Sequence, residues 1–342
     1  MIGTKLVKGQ GLGNALFCYV AARCIAQRQK AEFAVLGKEV LEGITGKNTG
    51  LYFMNLDFGK PAKEEDFDRI CREKEERLFT ANSRHDSRLG CYVSGVDEAF
   101  LEAEDGSLLY GNMQAEEYIL PYREEIKSWL AVKPEYDSYE FTRDNLCIIN
   151  IRGGEYTGSP ELFVNRRYWL KGMAHMRSVR EDMEFMVVTD DVAAARRILP
   201  EVPAFHFTLD KDYVTLKNAR YLLLSNSSFA FFPAFTSETV QEIIAPKYWA
   251  RYNVSDGYWA SEQNIYTGWK YMDRKGKLFS AKECRRELAE YQKNSRRYKR
   301  VNQKPKGIAL KAMQLSSELY YGMSWISRIA ASLKRRLTGQ RI

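Results

Sequence analysis

A run of strand-forming residues at Cys147–Ile151 stops at Arg152-Gly153-Gly154-Glu155-Tyr156, which sets one guanidinium and one carboxylate where a strand would end. In open α/β sheets, ligands bind outside the carboxyl ends of the strands. An arginine there offers planar, charge-assisted hydrogen bonds that match phosphate, and glycines let a ligand approach the backbone closely. The stretch therefore predicts a site for a phosphate-bearing molecule. A plain Gly-Gly turn with Arg152 and Glu155 solvated accounts for the same residues.

Other segments carry comparable chemistry. The apolar run Glu184–Thr189 ends in Asp190-Asp191, whose carboxylates either orient a substrate hydroxyl or cap the helix expected over 192–199. A strand expected over 204–208 leads into Asp210-Lys211-Asp212. Asp-x-Asp could hold a divalent cation bridging diphosphate oxygens, while Asp212 serves more simply as the N-cap of a helix expected from Tyr213 to Tyr221. The run from Leu222 closes in Ser225-Asn226-Ser227-Ser228-Phe229, where small polar groups can donate to phosphate or sugar oxygens. Near the N-terminus, Gly9-Gln10-Gly11-Leu12-Gly13-Asn14 lies between a strand expected over Lys5–Lys8 and a helix with apolar residues at Leu16, Phe17, Val20, Ala21 and Cys24. Its spacing meets neither the dinucleotide fingerprint nor the phosphate-loop pattern.

The elements that must position these residues alternate strand, turn and helix, as in an α/β protein. With 342 residues, 45% hydrophobic and 13% aromatic, the chain can bury the cores of two domains. The expected division is 1–134, 135–280 and a basic helical tail over 281–342. A helix is expected from Glu116 to about Leu130 and another from Arg166 to Ser178. The charged run Lys60–Arg77 reads as a solvated helix face. His85 has no second ligand at metal spacing. Six cysteines without C-x-x-C spacing indicate a reducing compartment and no structural zinc. The absence of an apolar leader or an 18-residue apolar run gives a cytoplasmic expectation. Residues 281–342 carry 16 Lys/Arg against 4 Asp/Glu, which leaves 36 against 40 in the rest. The basicity thus belongs to the tail, which argues against nucleic acid as a partner.

Taken in order, these segments resemble the α-1,2-fucosyltransferase-like glycosyltransferases (glycosyltransferase family 11-like). Gly9-Gln10-Gly11-Leu12-Gly13-Asn14-Ala15-Leu16-Phe17 is similar to the family's Gly-Gly-Leu-Gly-Asn-Gln-Met-Phe signature. Asn150–Tyr156 stands where the family has His-x-Arg-Arg-Gly-Asp-Tyr, Thr189-Asp190-Asp191 is similar to its Ser-Asp-Asp, and Ser225–Phe229 to its Asn-Ser-Thr-Phe. The resemblance spans about residues 3 to 250. It departs at Asn150 for His, Gly153 for the second Arg, Glu155 for Asp, and Phe231-Phe232 for the following aromatic pair.

The resemblance implies two Rossmann-like domains facing a cleft (GT-B-like) and inverting sugar transfer without metal or other cofactor, from a GDP-linked donor to a glycan or lipid-linked oligosaccharide. Arg152, with Asn226, Ser227, Ser228 and a helix N-terminus, would stabilise the leaving diphosphate. Glu155, then Asp190, would be the base. Gly11, Gly13, Asn14, Gly154, Tyr156, Asp191 and Phe229 would border the donor. Losing one arginine removes a charge-assisted bond worth on the order of 1.5–3 kcal/mol, which leaves open another nucleotide sugar or a non-catalytic nucleotide-sugar-binding protein. In the tail, Ala312, Leu315, Leu319, Met323, Ile326, Ala330 and Leu333 recur at helical spacing before Lys334-Arg335-Arg336. Such a basic amphipathic helix over 306–342 suits an anionic membrane surface or packing on the body.

Overall fold

The computed structural model describes residues 1–42, 50–78, 91–159, 162–253, 255 and 257–294, with residues 307, 308, 311, 312, 315 and 319. The first half runs β1 (Ile2–Lys5), α1 (Leu12–Arg28), β2 (Phe33–Leu36), α2 (Glu39–Glu42), β3 (Arg69–Arg72), β4 (Glu75–Leu78), β5 (Cys91–Ser94), α3 (Glu98–Leu101), β6 (Ser107–Tyr110) and α4 (Arg123–Trp129). The second runs β7 (Leu146–Ile151), α5 (Arg166–Val179), β8 (Glu184–Thr189), α6 (Val192–Ile198), β9 (Ala204–Phe205), α7 (Leu209–Lys217), β10 (Tyr221–Leu224), α8 (Phe231–Thr236), β11 (Glu242–Pro246), β12 (Lys270–Met272), β13 (Leu278–Ser280) and α9 (Ala281–Asn294).

Two parallel-dominated sheets result. The first has strand order β2-β1-β6-β3, all parallel; β4 and β5 pair separately as an antiparallel ribbon. The second has order β13-β12-β11-β10-β7-β8-β9, with only β13 antiparallel. From β7 the chain winds outward through β8 and β9, then returns to place β10 on the other side of β7. The sequence order thus reverses between β7 and β10, and in the first sheet between β1 and β6. Such reversal points leave a crevice at the carboxyl ends of the strands, because the flanking connections diverge to opposite faces.

Central strands buried on both faces read as continuous apolar runs, and every residue of β7 is buried. Cys147, Ile149, Val187, Leu223 and Ile244 pack on one face with Trp169 and Met173 of α5. On the other, Ile148, Val188 and Leu222 join a core that includes Ile2 and Leu109 of the first sheet, so one apolar core spans both halves. The join is made by α1, which has no charged residue before Arg23 and is buried on most of its circumference. Phe17 of α1 stacks on Phe231 at 4.6 Å and meets Phe232 at 4.9 Å, and Phe231 packs on Tyr266 at 4.1 Å. An extensive apolar contact of this kind restrains relative motion of the halves.

Several expected boundaries shift. The first strand is Ile2–Lys5, not Lys5–Lys8, because pairing with β2 and β6 fixes it. The charged run 60–77 forms a 3₁₀ turn and strands rather than a helix face; β3 joins β6 through backbone bonds and leaves its arginines exposed. The helix expected over 116–130 is broken at Pro121, with 3₁₀ turns at Glu116–Tyr118 and Leu120–Tyr122 before α4. The first part of the 281–342 stretch is the helix α9, which buries Ala281, Cys284, Leu288 and Tyr291. Lys247 pairs with Glu287 of α9 at 2.6 Å, and Arg285 binds the buried Glu116. His85 lies outside the described residues, as does most of the 306–342 stretch; Ala312, Leu315 and Leu319 are helical and exposed. Among the described residues no helix is long and apolar enough to cross a membrane.

Candidate functional site at the carboxyl edges

At the reversal point of the large sheet, the turns after β7 and β10 are tied together. The Arg152 N–H donates to Ser225 Oγ at 3.2 Å, and the Ser225 N–H donates to the Asn150 carbonyl at 3.0 Å. The Arg152 guanidinium lies between two carboxylates, Asp190 Oδ2 at 3.0 Å and Glu155 Oε1 at 2.7 Å, with the Tyr156 ring 5.7 Å away. The Gly153 N–H donates to Asp190 Oδ1 at 2.7 Å. This close approach needs both glycines. A Cβ on Gly153 would lie 2.4 Å from Asp191 Cβ, and Gly154 has φ +46° with its Cβ position 2.8 Å from Asp190 Oδ2. Arg152, Glu155 and Asp190, expected to act together, are thus one cluster, with a single cation and two carboxylates.

The electrostatics assign them different tasks. Burial works against the Arg152 charge, but Glu155 and Asp190 outweigh it and raise its pKa. The hydrogen bond from Arg152 holds Glu155 below the usual carboxylate range, which makes it a poor proton acceptor while the pair persists. Asp191 Oδ1 accepts the Ala194 N–H at 2.9 Å and caps α6. Its charge therefore serves the helix.

The segment after β10 carries unused polar capacity. Asn226 Nδ2 donates to the Leu162 carbonyl at 3.1 Å and Asn150 Nδ2 to the Val188 carbonyl at 3.2 Å, while the side-chain oxygens of both are buried without a partner. Among the described residues, nothing hydrogen-bonds the hydroxyls of Ser227 and Ser228. Phe229 meets the ring of Tyr213 edge-on at 6.0 Å.

The first sheet's reversal point faces this segment. A Cβ on Gly13, in the first turn of α1, would lie 2.4 Å from the Phe229 nitrogen and the Ser228 carbonyl carbon. α1 begins at Gly11 without a side-chain cap or an acidic residue in its first turn, and the space beside Gly11 is open. Its first N–H groups are therefore a positive, uncapped terminus. Asn14 Oδ1 accepts from Gln114 Nε2 at 2.9 Å, and Gln114 Oε1 accepts from Asn264 at 2.9 Å. Asn14 thus braces Gln114 through its oxygen, while its Nδ2 has no hydrogen-bond partner among the described residues. Buried Glu73 fixes the neighbouring turn by accepting the N–H groups of Asn112 and Met113 at 2.6 and 3.0 Å.

Asp210 and Asp212 diverge. The first accepts the Tyr52 hydroxyl at 2.5 Å. The second lies inside α7, whose N-cap is Thr208, so it is not the N-cap expected from the sequence; it reaches back to accept the Phe207 N–H at 3.0 Å. The helix starts earlier because this backward bond organises its first turn. Among the described residues no three His, Cys, Asp or Glu side chains gather as metal ligands. Sequence reasoning missed His206, whose Nδ1 lies 2.8 Å from Asp212 Oδ2. The signal was a histidine just past a strand, six residues before an acid. No known protein family and no curated protein matches the chain.

Proposed function

We propose that the chain is an inverting glycosyltransferase that moves a sugar from a nucleoside diphosphate to a hydroxyl of a glycan or lipid-linked oligosaccharide. L-Fucose from GDP-fucose, in α-1,2 linkage, is the first candidate, in keeping with the motif resemblance. The observation that carries the reading is the abutment of two reversal points: the uncapped start of α1 at Gly13 lies against Ser228–Phe229, beside Arg152 at the end of β7. The strand order β9-β8-β7-β10-β11-β12 supports the reading, since nucleotide-binding open sheets with a central reversal run 3-2-1-4-5-6. We read the two halves as Rossmann-like units in a GT-B-like arrangement, welded by α1.

In this reading the diphosphate lies between the α1 terminus and the Ser227 and Ser228 hydroxyls, and takes over the Arg152 guanidinium from Glu155. Charge growing on the leaving phosphate is then met by donors already in place, which need no reorganisation at the moment of reaction. Gly153 sharpens donor choice. The backbone has no room there for the family's second arginine, because even a Cβ would collide with Asp191.

Thermal unfolding with a panel of GDP-, UDP- and dTDP-linked sugars tests the proposal. One donor, at about a hundred times its Kd, should stabilise the protein by about 2.7 kcal/mol. Arg152→Ala should fold normally and weaken that donor by about 1.5–3 kcal/mol. A wild-type protein stabilised by none of them overturns the assignment.

A further inference from the structure

Resting on that reading, we propose that His206 is the general base that takes the proton of the acceptor hydroxyl, and that Asp212 positions its ring. β9 pairs with β8 so that Phe205 lies beside Val188, which puts His206 level with Thr189 and one residue short of Asp190. Adjacent strands are about 4.8 Å apart. The imidazole therefore stands at the same carboxyl edge as Arg152, beyond Asp190 on the side away from β10.

The pair has the asymmetry that proton transfer requires. Asp212 is buried, with one oxygen on the Phe207 N–H and the other on His206 Nδ1, whereas the histidine side chain is 52% exposed. A carboxylate facing Nδ1 puts the proton there and leaves Nε2 as the acceptor. Nε2 has no hydrogen-bond partner among the described residues. Lys211, whose ammonium could compete for Asp212, instead pairs with Glu140 at 2.8 Å and covers the Phe207 ring. Asp190 is occupied by Arg152 and the Gly153 N–H; Glu155 is held by Arg152 until the donor takes that guanidinium, and no other side chain among the described residues orients it once released.

The step balances as a single displacement. The acceptor oxygen forms a bond to the anomeric carbon, and the bond from that carbon to the diphosphate oxygen breaks with its electron pair on the leaving group. The hydroxyl proton ends on Nε2, and Asp212 stabilises the imidazolium. Asp212 does not touch the acceptor.

The test follows release of nucleoside diphosphate from whichever nucleotide sugar stabilises the wild type, with an oligosaccharide panel as acceptor. His206→Ala should lower kcat at least about 100-fold, keep the donor's thermal shift, and recover part of its turnover with added imidazole. Asp212→Asn should lower kcat with KM for the donor held and Tm not lowered. His206→Ala turning over within threefold of wild type overturns the base assignment and leaves sugar transfer standing. A wild type that neither binds nor cleaves any donor overturns sugar transfer, and the base with it.

Discussion

The large sheet carries a histidine–carboxylate pair at each edge, and the two differ in everything but their bond. At the amino edge, His175 of α5 lies 2.7 Å from Glu242 at the start of β11, and Lys270 takes the other oxygen of that carboxylate at 2.9 Å. The surrounding groups are matched too: Arg143 pairs with Glu184 at 2.8 Å, and the Tyr221 hydroxyl donates to Gln241 at 2.8 Å. At the carboxyl edge, His206–Asp212 shares its rim with the partnerless oxygens of Asn150 and Asn226 and with a cation held by two acids. A paired histidine is therefore not itself a site. Unspent polar capacity around it, at the edge where the strands' connections diverge, is what distinguishes the two.

The sharpest break of this comparison is an exchange of arginine deletions. Arg152→Ala should lower turnover by about 100- to 1,000-fold with Tm nearly unchanged, whereas Arg143→Ala should leave turnover intact; steady-state kinetics on both reads the contrast. Next, His175→Ala leaves the largely covered Glu242 with only Lys270 and should cost about 1–3 kcal/mol in denaturant unfolding. A tenfold loss of turnover in that variant would erase the distinction between the edges. Asp191→Ala removes the α6 cap and should cost about 1 kcal/mol.

The smallest effect is in the pH dependence of stability. Burial raises the Asp212 pKa, so its folded value lies above its unfolded one. The ionised form then costs stability at pH above the folded value, and the cost disappears on acidification. Asp212→Asn should therefore be at least as stable as wild type at neutral pH, and that advantage should shrink as pH falls toward the ordinary carboxylate range. Glu155 has the opposite sign: its Arg152 bond stabilises above the ordinary carboxylate pKa and fades below it.

What the sequence showed depended on whether local pattern or distant pairing decided each element. β7, β8, α5 and α6 were legible because buried apolar runs and a capping Asp191 specify them locally. β3 was not, because Arg69–Arg72 has no apolar signature and exists through its backbone bonds to β6. Arg152, Glu155 and Asp190 were legible as neighbours since all three close parallel strands or follow them directly. Their mutual neutralisation was not, because it depends on Gly153 and Gly154 folding the turn back onto Asp190. His206 escaped notice because its partner comes from the next helix, entered four residues earlier than its pattern suggests.

α1 also has a consequence for how the chain is made. It precedes its partners by more than 200 residues, since Phe17 packs on Phe231, Phe232 and Tyr266. Until Tyr266 has been synthesised, the Phe17 face of α1 lacks the rings that cover it. Contacts of such sequence separation slow folding and leave intermediates exposed to aggregation. The helix that welds the halves together thus keeps an apolar face open to aggregation until its distant partners fold onto it.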